Sequence, residues 1–283
     1  MAIITISRGS YSKGKEVAAQ VAEKLGYRCI AREVILDASK EFNIPEIRLV
    51  RAIHDAPSIL DRLTGGKGKY IALFRSALLK QLRSDNVVYH GLAGHFFLSG
   101  VKHALKIRII AGMEERIKTE MEREKVSREE AMRVLTNDDE ERRKWSRNLY
   151  GIDTADPSLY DLVIHIRDIT VDNAVSLISR VATLDRFQAT AESQKFLEDL
   201  SLEADVRAAL FDFKPDAEVK ADSGRVQVGV KLPSLPMGEE QVLVEELRKV
   251  VQAVPGVTEV DVKPLHVIKW SDGRLFPGAP GKS

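Results

Sequence analysis

Apolar residues recur along this chain in two rhythms. Short, nearly continuous apolar runs occur at Ala2 to Ile6, Asn86 to Tyr89, Ala104 to Ile110 and Asp161 to Ile166. Runs of that length, rich in Val and Ile, read as strands buried on both faces of a parallel sheet. After the first run, Val17, Val21, Ala22 and Leu25 return at helical spacing, and Gly26 marks the helix end. After the last, a helix is expected from about Val171 to Leu184. Strands alternating with helices predict an α/β fold, a doubly wound parallel sheet with ligands at the carboxyl ends of its strands.

Two stretches break that rhythm. From Glu114 to Trp145 the chain is rich in Arg, Lys and Glu, with too few apolar positions for a core. It reads as an exposed helical pair or a flap. Beyond Leu184 the segment Arg186 to Ser193 reads as a linker. Helical segments follow around Phe196, Leu197, Leu200, Val206 and Leu210. Then come strands at Ala217–Lys220 and Val226–Leu232, a helix at Glu239–Val251 and a strand at Val257–Val262. Pro233, Pro236, Pro255 and Gly256 punctuate them. The expected organisation is a first domain over residues 1–185 and a smaller α+β domain over 194–283, ending in a loose Gly/Pro-rich tail from Gly273.

Composition narrows the function classes. With 44% hydrophobic and 30% charged residues and a formal charge of +1, the chain lacks the basic excess of a nucleic-acid or membrane-surface binder. No apolar run reaches the roughly 20 residues that span a bilayer. The single cysteine, Cys29, excludes an internal disulfide and a thiolate metal cage. No signal peptide is evident at the N-terminus. A cytoplasmic protein is expected, with neither a membrane span nor a nucleic-acid partner.

The chemistry concentrates after the first strand. Gly9-Ser10-Tyr11-Ser12-Lys13-Gly14-Lys15 has the spacing G-x-x-x-x-G-K between a strand and a helix, the context in which a glycine-rich loop turns backbone N–H groups onto phosphate. Arg8, Gly9, Ser10, Tyr11, Ser12, Lys13, Gly14, Lys15 and Glu16 are therefore the candidate nucleotide-binding residues, with Lys15 reaching the β- and γ-phosphates of ATP. Glu16 stands where the usual motif has a Ser or Thr that ligates Mg2+, and is the candidate metal contact. Among the six histidines none forms a metal-spaced pair. His90 and His95 read as packed or edge side chains. The Gly65-Gly66-Lys67-Gly68-Lys69 stretch follows no strand and reads as a flexible loop.

Several runs together carry a resemblance. Ile4-Thr5-Ile6-Ser7-Arg8 followed by Gly14-Lys15-Glu16-Val17, then Met113-Glu114-Glu115-Arg116-Ile117, Asp139-Glu140-Glu141-Arg142 and Asp156-Pro157-Ser158-Leu159-Tyr160-Asp161-Leu162, resemble the cytidylate kinase-like family in order across residues 1 to about 184. The resemblance implies a P-loop kinase-type fold and an enzyme that moves the γ-phosphoryl group of ATP, with Mg2+, to a nucleoside monophosphate. It implies that Lys15, Arg116, Arg142, Arg143 and Arg147 act on the transferring phosphate. Asp139 would orient Arg142 or Arg143, and Arg32, Gly91 and Asp139 would lie at the acceptor.

Two departures bear on the acceptor. The Tyr-Asp usual before the family's second helix is Ile30-Ala31 here, and the usual Gly-Arg is Gly91-Leu92. Arg32, Arg75 and Lys69 are candidates to replace the missing charge. A catalytically silent nucleotide sensor, signalling through the C-terminal unit, is the alternative. That unit resembles a BON-type domain in Val206 to Leu210, Gly224 to Val230 and Val254 to Val260. Its helix carries more acid than base, which favours a regulatory or self-association role over membrane binding.

Overall fold

The computed structural model describes the chain apart from residues 1, 10–11, 32, 47, 51–65, 92, 232–238 and 265–283. Its first strand, β1 (Ile3–Arg8), is followed by helix α1 (Gly14–Leu25), β2 (Arg28–Ile30) and α2 (Glu33–Glu41). Next come α3 (Gly66–Leu82), β3 (Val87–His90), the one-turn α4 (Gly94–Phe97), β4 (Ala104–Ala111), α5 (Met113–Glu124) and α6 (Arg128–Tyr150). Strand β5 (Leu162–Ile166) and helix α7 (Val171–Ala182) complete the unit. The strands form one parallel sheet in the order β2-β3-β1-β4-β5. Strand order reverses beside β1, so the carboxyl end of β1 is the topological switch point where ligands bind in open α/β sheets.

Period-two alternation along β1 assigns its side chains to two cores. Ile4 and Ile6 pack on one face with Val17 and Val21 of α1 and Val175 and Ile178 of α7. Ile3 faces the other core, with Phe74 and Leu78 of α3, Phe97 of α4 and Tyr89 of β3. Helices thus cover both faces, as a parallel sheet requires. Local signals set the helix ends. Gly26 takes the left-handed conformation (φ 68°) after α1, and Thr170 with Asn173 forms a capping box on α7.

Three expectations are corrected. Residues 114–145 form two helices as expected, yet they are not wholly exposed: Ile117, Ala131 and Leu135 make a small core between them, and Trp145 is buried in the sheet's core. Gly66 to Lys69 open helix α3 instead of forming a loop, and Gly68 lies where a Cβ would come within 3.0 Å of the Phe211 ring. Tertiary packing overrides the low helix propensity of glycine there. Arg186 to Ser193 is not a free linker. Phe187 sits in a 3₁₀ turn against the core, and Thr190 with Ser193 caps a new helix, α8 (Ala191–Leu210).

Helix α8 serves two cores. Leu197, Leu200 and Ala204 pack into the core of the large sheet, whereas Val206 and Leu210 join β6 (Glu218–Asp222), β7 (Arg225–Val230), α9 (Glu239–Gln252) and β8 (Glu259–Pro264). The small sheet has the order β6-β7-β8, with β6 antiparallel and β8 parallel to β7. Ser223 and Gly224, both with positive φ, make the tight turn between β6 and β7. Because Leu197 is wholly buried, Leu197→Ala is expected to destabilise the large-sheet unit by about 2–5 kcal/mol. Val242→Ala, at an exposed position of α9, should stay within about 0.5 kcal/mol. Urea titrations followed by circular dichroism check the contrast.

Candidate functional site

The loop between β1 and α1 is built for close backbone approach. A Cβ on Gly14 would lie 2.7 Å from the Cβ of Arg8, so no larger residue fits without moving the loop. Lys13 takes a left-handed conformation (φ 61°) as the residue before α1, and its carbonyl accepts the first helical bond, from Val17 N, at 3.0 Å. The N–H groups of the first turn have no intrahelical acceptor and point, with the helix dipole, toward the loop. Ser12 is buried, and its hydroxyl is within hydrogen-bond distance of the carbonyls of Gly9 (3.0 Å) and Ile109 (3.1 Å). It pins the loop to β4. Ser10 and Tyr11 lie outside the described residues.

Lys15 and Glu16 are exposed in the first turn of α1. The charge of Lys15 is felt at the carboxyl ends of β2 and β3. Burial raises the Cys29 thiol, Glu33 raises it further, and Lys15 opposes both. His90 is held down to about 4, first by burial and then by Arg8 and Lys15. Among the described residues no group of three or more His, Cys, Asp or Glu is placed to hold a metal. A divalent cation at Glu16 would therefore have to share its ligation with phosphate oxygens.

Beside the loop lies a cavity of about 170 Å³. Helices α5 and α6 bring arginines to it or beside it, and each is tied to a definite partner. Arg116 is buried and forms a two-point ion pair with Asp139, at 2.8 and 3.0 Å. Its guanidinium lies within 4 Å of where a Cβ on Gly9 would be, so the pair touches the β1–α1 loop itself. Arg142 donates to the carbonyl of Arg8 at 3.0 Å, tying α6 to the end of β1. Arg143 lies 3.8 Å from Asp153, and Arg147 pairs with the same carboxylate. The Ala155 N–H, then Arg147 and Arg143, holds the Asp153 carboxyl below its usual range. Arg116, Arg142 and Arg143 line the cavity, whereas Arg147 does not. Asp139 orients Arg116, not Arg142 or Arg143 as the sequence suggested. It faces across the α5–α6 pair, a contact that spacing along one helix cannot reveal.

The opposite wall holds residues the sequence did not single out as ligands. Tyr160 has its hydroxyl within 3.4 Å of Ser7 Oγ, 3.3 Å of His95 Nε2 and 3.1 Å of the Thr154 carbonyl. Arg108 donates to the same hydroxyl at 3.3 Å and lies over the ring, 5.6 Å from its centre. The run around Tyr160 has a physical explanation. Asp156 caps a 3₁₀ turn through Ser158 N (2.8 Å), and Asp161 accepts from Lys106 N (2.7 Å), docking β5 on β4. These two anchors fix Tyr160 in the cavity wall, and the motif was the one sequence signal that could have found it.

His95 is packed, as read from the sequence, and burial, with Lys106 and Arg108, pushes it down to about 3. The unfolded chain takes up this proton near pH 6.5 while the folded chain does not. Stability is thus present above the ordinary histidine range and falls as pH drops from about 6.5 toward 3. The thermal midpoint should decline over that window, with a shallower slope in His95→Gln. Equal slopes would contradict this account.

Of the expected acceptor residues, Asp139 lines the cavity and Gly91 does not. Arg32 and Leu92 lie outside the described residues. Gly91 sits where a Cβ would approach the Tyr89 hydroxyl to 2.3 Å, which gives it a packing role. Ala31 N–H is bound by Glu33 at 2.7 Å. Lys69 pairs with Asp212 at 2.6 Å and Arg75 lies over the Phe97 ring, and neither lines the cavity.

A parallel sheet with a G-x-x-x-x-G-K loop at its switch point and arginines from a helical pair above it defines a P-loop kinase fold. Residues 3–168 match the model of the Cytidylate kinase-like family, and the chain belongs to that family. It is 36% identical over 117 residues to a cytidylate kinase of Thermococcus kodakarensis, a match covering 41% of this chain and 58% of that protein. A cytidylate kinase of Ignicoccus hospitalis is 25% identical over 185 residues, or 64% of this chain and 99% of that one. Among solved structures, an uncharacterized protein from Eubacterium ventriosum shares the fold with a TM-score of 0.50 and 20% identity, over 64% of this chain and 98% of the other.

Proposed function

We propose that the protein is an ATP-dependent phosphotransferase of the nucleoside monophosphate kinase type. The observation that carries this reading is the charge of the cavity. Arg8, Arg108, Arg116, Arg142 and Arg143 line it against one carboxylate, Asp139, leaving an excess of four positive charges in a chain whose formal net charge is +1. Such focusing suits a site where polyphosphate and phosphate meet.

In this mechanism the loop amides from Gly9 to Gly14 and the N-terminus of α1 hold the donor phosphates, and Lys15 neutralises charge at the β- and γ-phosphates. An acceptor phosphate oxygen forms the new bond to the γ-phosphorus as the bond to the β-bridging oxygen breaks, and ADP leaves with that electron pair. The protein's contribution is placement and charge. Arg116, fixed by Asp139, and Arg142, fixed by the Arg8 carbonyl, present guanidiniums that need little reorganisation as charge shifts. Arg143 adds a third, while Arg147 holds Asp153 and so the 153–155 rim. Mg2+ bound with the nucleotide would add charge neutralisation, with Glu16 the protein group nearest to hand by sequence.

Residues 1–185 would form the catalytic domain and 194–283 an accessory, BON-like one. The Lys69–Asp212 pair and shared helix α8 give it a route to α3, consistent with regulation or self-association. Among the described residues no helix is long and apolar enough to cross a membrane, and a cytoplasmic location fits the reading. The test is ADP release from Mg-ATP, in a coupled assay, with each nucleoside monophosphate in turn. Acceptor-dependent turnover supports it; ATP binding without turnover for any acceptor sinks it and favours the sensor.

A further inference from the structure

We propose that Arg108, with the hydroxyls of Tyr160 and Ser7, forms a phosphomonoester-binding subsite on the β4 wall of the cleft. The inference rests on the kinase reading and says where the acceptor's phosphate sits. Ser7 of β1 and Arg108 of β4 are register partners, so their side chains leave the sheet side by side on one face. Arg108 is half-buried, and its one hydrogen-bond partner among the described residues is the neutral Tyr160 phenol. Among the described residues no carboxylate lies within ion-pair distance of it. Asp139, the carboxylate lining the same cavity, is committed to Arg116.

A partly desolvated guanidinium with a neutral partner is costly unless an anion completes it. Arginine's planar fork suits phosphate oxygens in two-point contact. Tyr160 holds the fork in place by bond and by ring stacking, so little side-chain entropy remains to be lost on binding. The Ser7 hydroxyl, whose neighbour is the Tyr160 hydroxyl at 3.4 Å, can turn its proton to the same anion. A phosphomonoester carries close to two negative charges near neutral pH. The cavity, of about 170 Å³, brings Ser7 and Arg108 into one wall, with room for an anionic headgroup. Its wall also includes Ala93, the neighbour of position 92, where leucine supplies no charge. Arg108 would supply it instead.

The test is calorimetry on the full chain, titrating Mg-ATP, a panel of nucleoside monophosphates and inorganic phosphate separately. Arg108→Gln is expected to weaken the best-bound monophosphate by about 10- to 100-fold, the worth of a charge-assisted bond, while ATP affinity changes less than about 3-fold. Arg108→Lys should restore part of the loss, and Tyr160→Phe, which keeps the ring, should weaken the monophosphate by a smaller factor. Circular dichroism identifies any variant that fails to fold, and Arg108→Lys then carries the test. Unchanged monophosphate affinity in a folded Arg108→Gln overturns the proposal. So does parallel loss of ATP and monophosphate, loss confined to inorganic phosphate, or a wild-type protein that binds no monophosphate. Arg108-dependent monophosphate binding without turnover would instead refute the kinase reading and leave the subsite standing.

Discussion

Lys15→Ala is expected to lower phosphoryl-transfer turnover by on the order of 10³-fold, about 4 kcal/mol of transition-state stabilisation, and to weaken ATP binding as well. The reasoning is electrostatic. A Cβ on Gly14 would lie 2.7 Å from the Cβ of Arg8, so glycine there leaves the loop amides open to the proposed donor phosphates. Those amides carry partial charges. Lys15 is the full positive charge that α1 itself brings to the loop, on its exposed first turn. Because the side chain is exposed, its removal should leave the thermal midpoint of the unliganded protein almost unmoved. Loss of activity with unchanged stability separates the proposed role from a structural one. Steady-state kinetics with ATP varied, beside a melting curve, check both. Retention of more than about a tenth of wild-type turnover would contradict the role assigned to this ammonium.

The second large effect belongs to Arg116 and Asp139, and it should appear in stability and activity together. Arg116 is 7% exposed and meets Asp139 through two bonds, but the Asp139 side chain keeps a third of its exposure. Water can therefore resolvate the aspartate when the arginine is removed, and the cost of Arg116→Ala should be about 2 kcal/mol, below that of a fully enclosed pair. Asp139→Asn keeps the shape but removes the charge that fixes the guanidinium. It should preserve the fold while turnover falls by about 10- to 100-fold, since a misdirected guanidinium loses its advantage over solvent. Arg116→Lys keeps the charge without the fork and should behave like Asp139→Asn. A double-mutant cycle on Arg116 and Asp139 should return a coupling of about 1–2 kcal/mol in stability. Additive effects would mean that the two residues act independently.

Much of the fold was legible because the strands of a parallel sheet are buried on both sides and announce themselves as apolar runs. Ala2 to Ile6, Asn86 to Tyr89, Ala104 to Ile110 and Asp161 to Ile166 correspond to β1, β3, β4 and β5 within about two residues. Strand β2 was missed because Arg28 and Cys29 are exposed at the sheet edge and leave one buried side chain, Ile30. Helix α3 was hidden by its glycine-rich opening, whose helical form depends on neighbours such as Phe211 that lie far away in sequence. The boundary after residue 185 was blurred for a related reason. One face pattern along α8 serves two cores, and nothing local marks where the first ends and the second begins.

The candidate site divides in the same way. The G-x-x-x-x-G-K stretch is a contiguous motif, and its place between β1 and α1 could be read directly. The arginine cluster could be read as residue types on α5 and α6, but its pairings cross between helices and between strand and helix. Asp139 to Arg116 and Arg142 to the Arg8 carbonyl are set by packing. Arg108 was invisible because a charged residue on the inner face of a buried strand looks, from sequence, like an interruption. Only its register with Ser7 and its stacking on Tyr160 show that it faces a cavity.

The central claim is that the backbone between β1 and α1 grips the triphosphate of ATP. Amide resonances of Gly9, Ser12, Lys13 and Gly14, followed by nuclear magnetic resonance during an Mg-ATP titration, test it most directly. The account predicts large, saturable shifts at these four amides with one common affinity, abolished in Lys15→Ala. Saturable ATP binding that leaves them in place and perturbs residues elsewhere would contradict it.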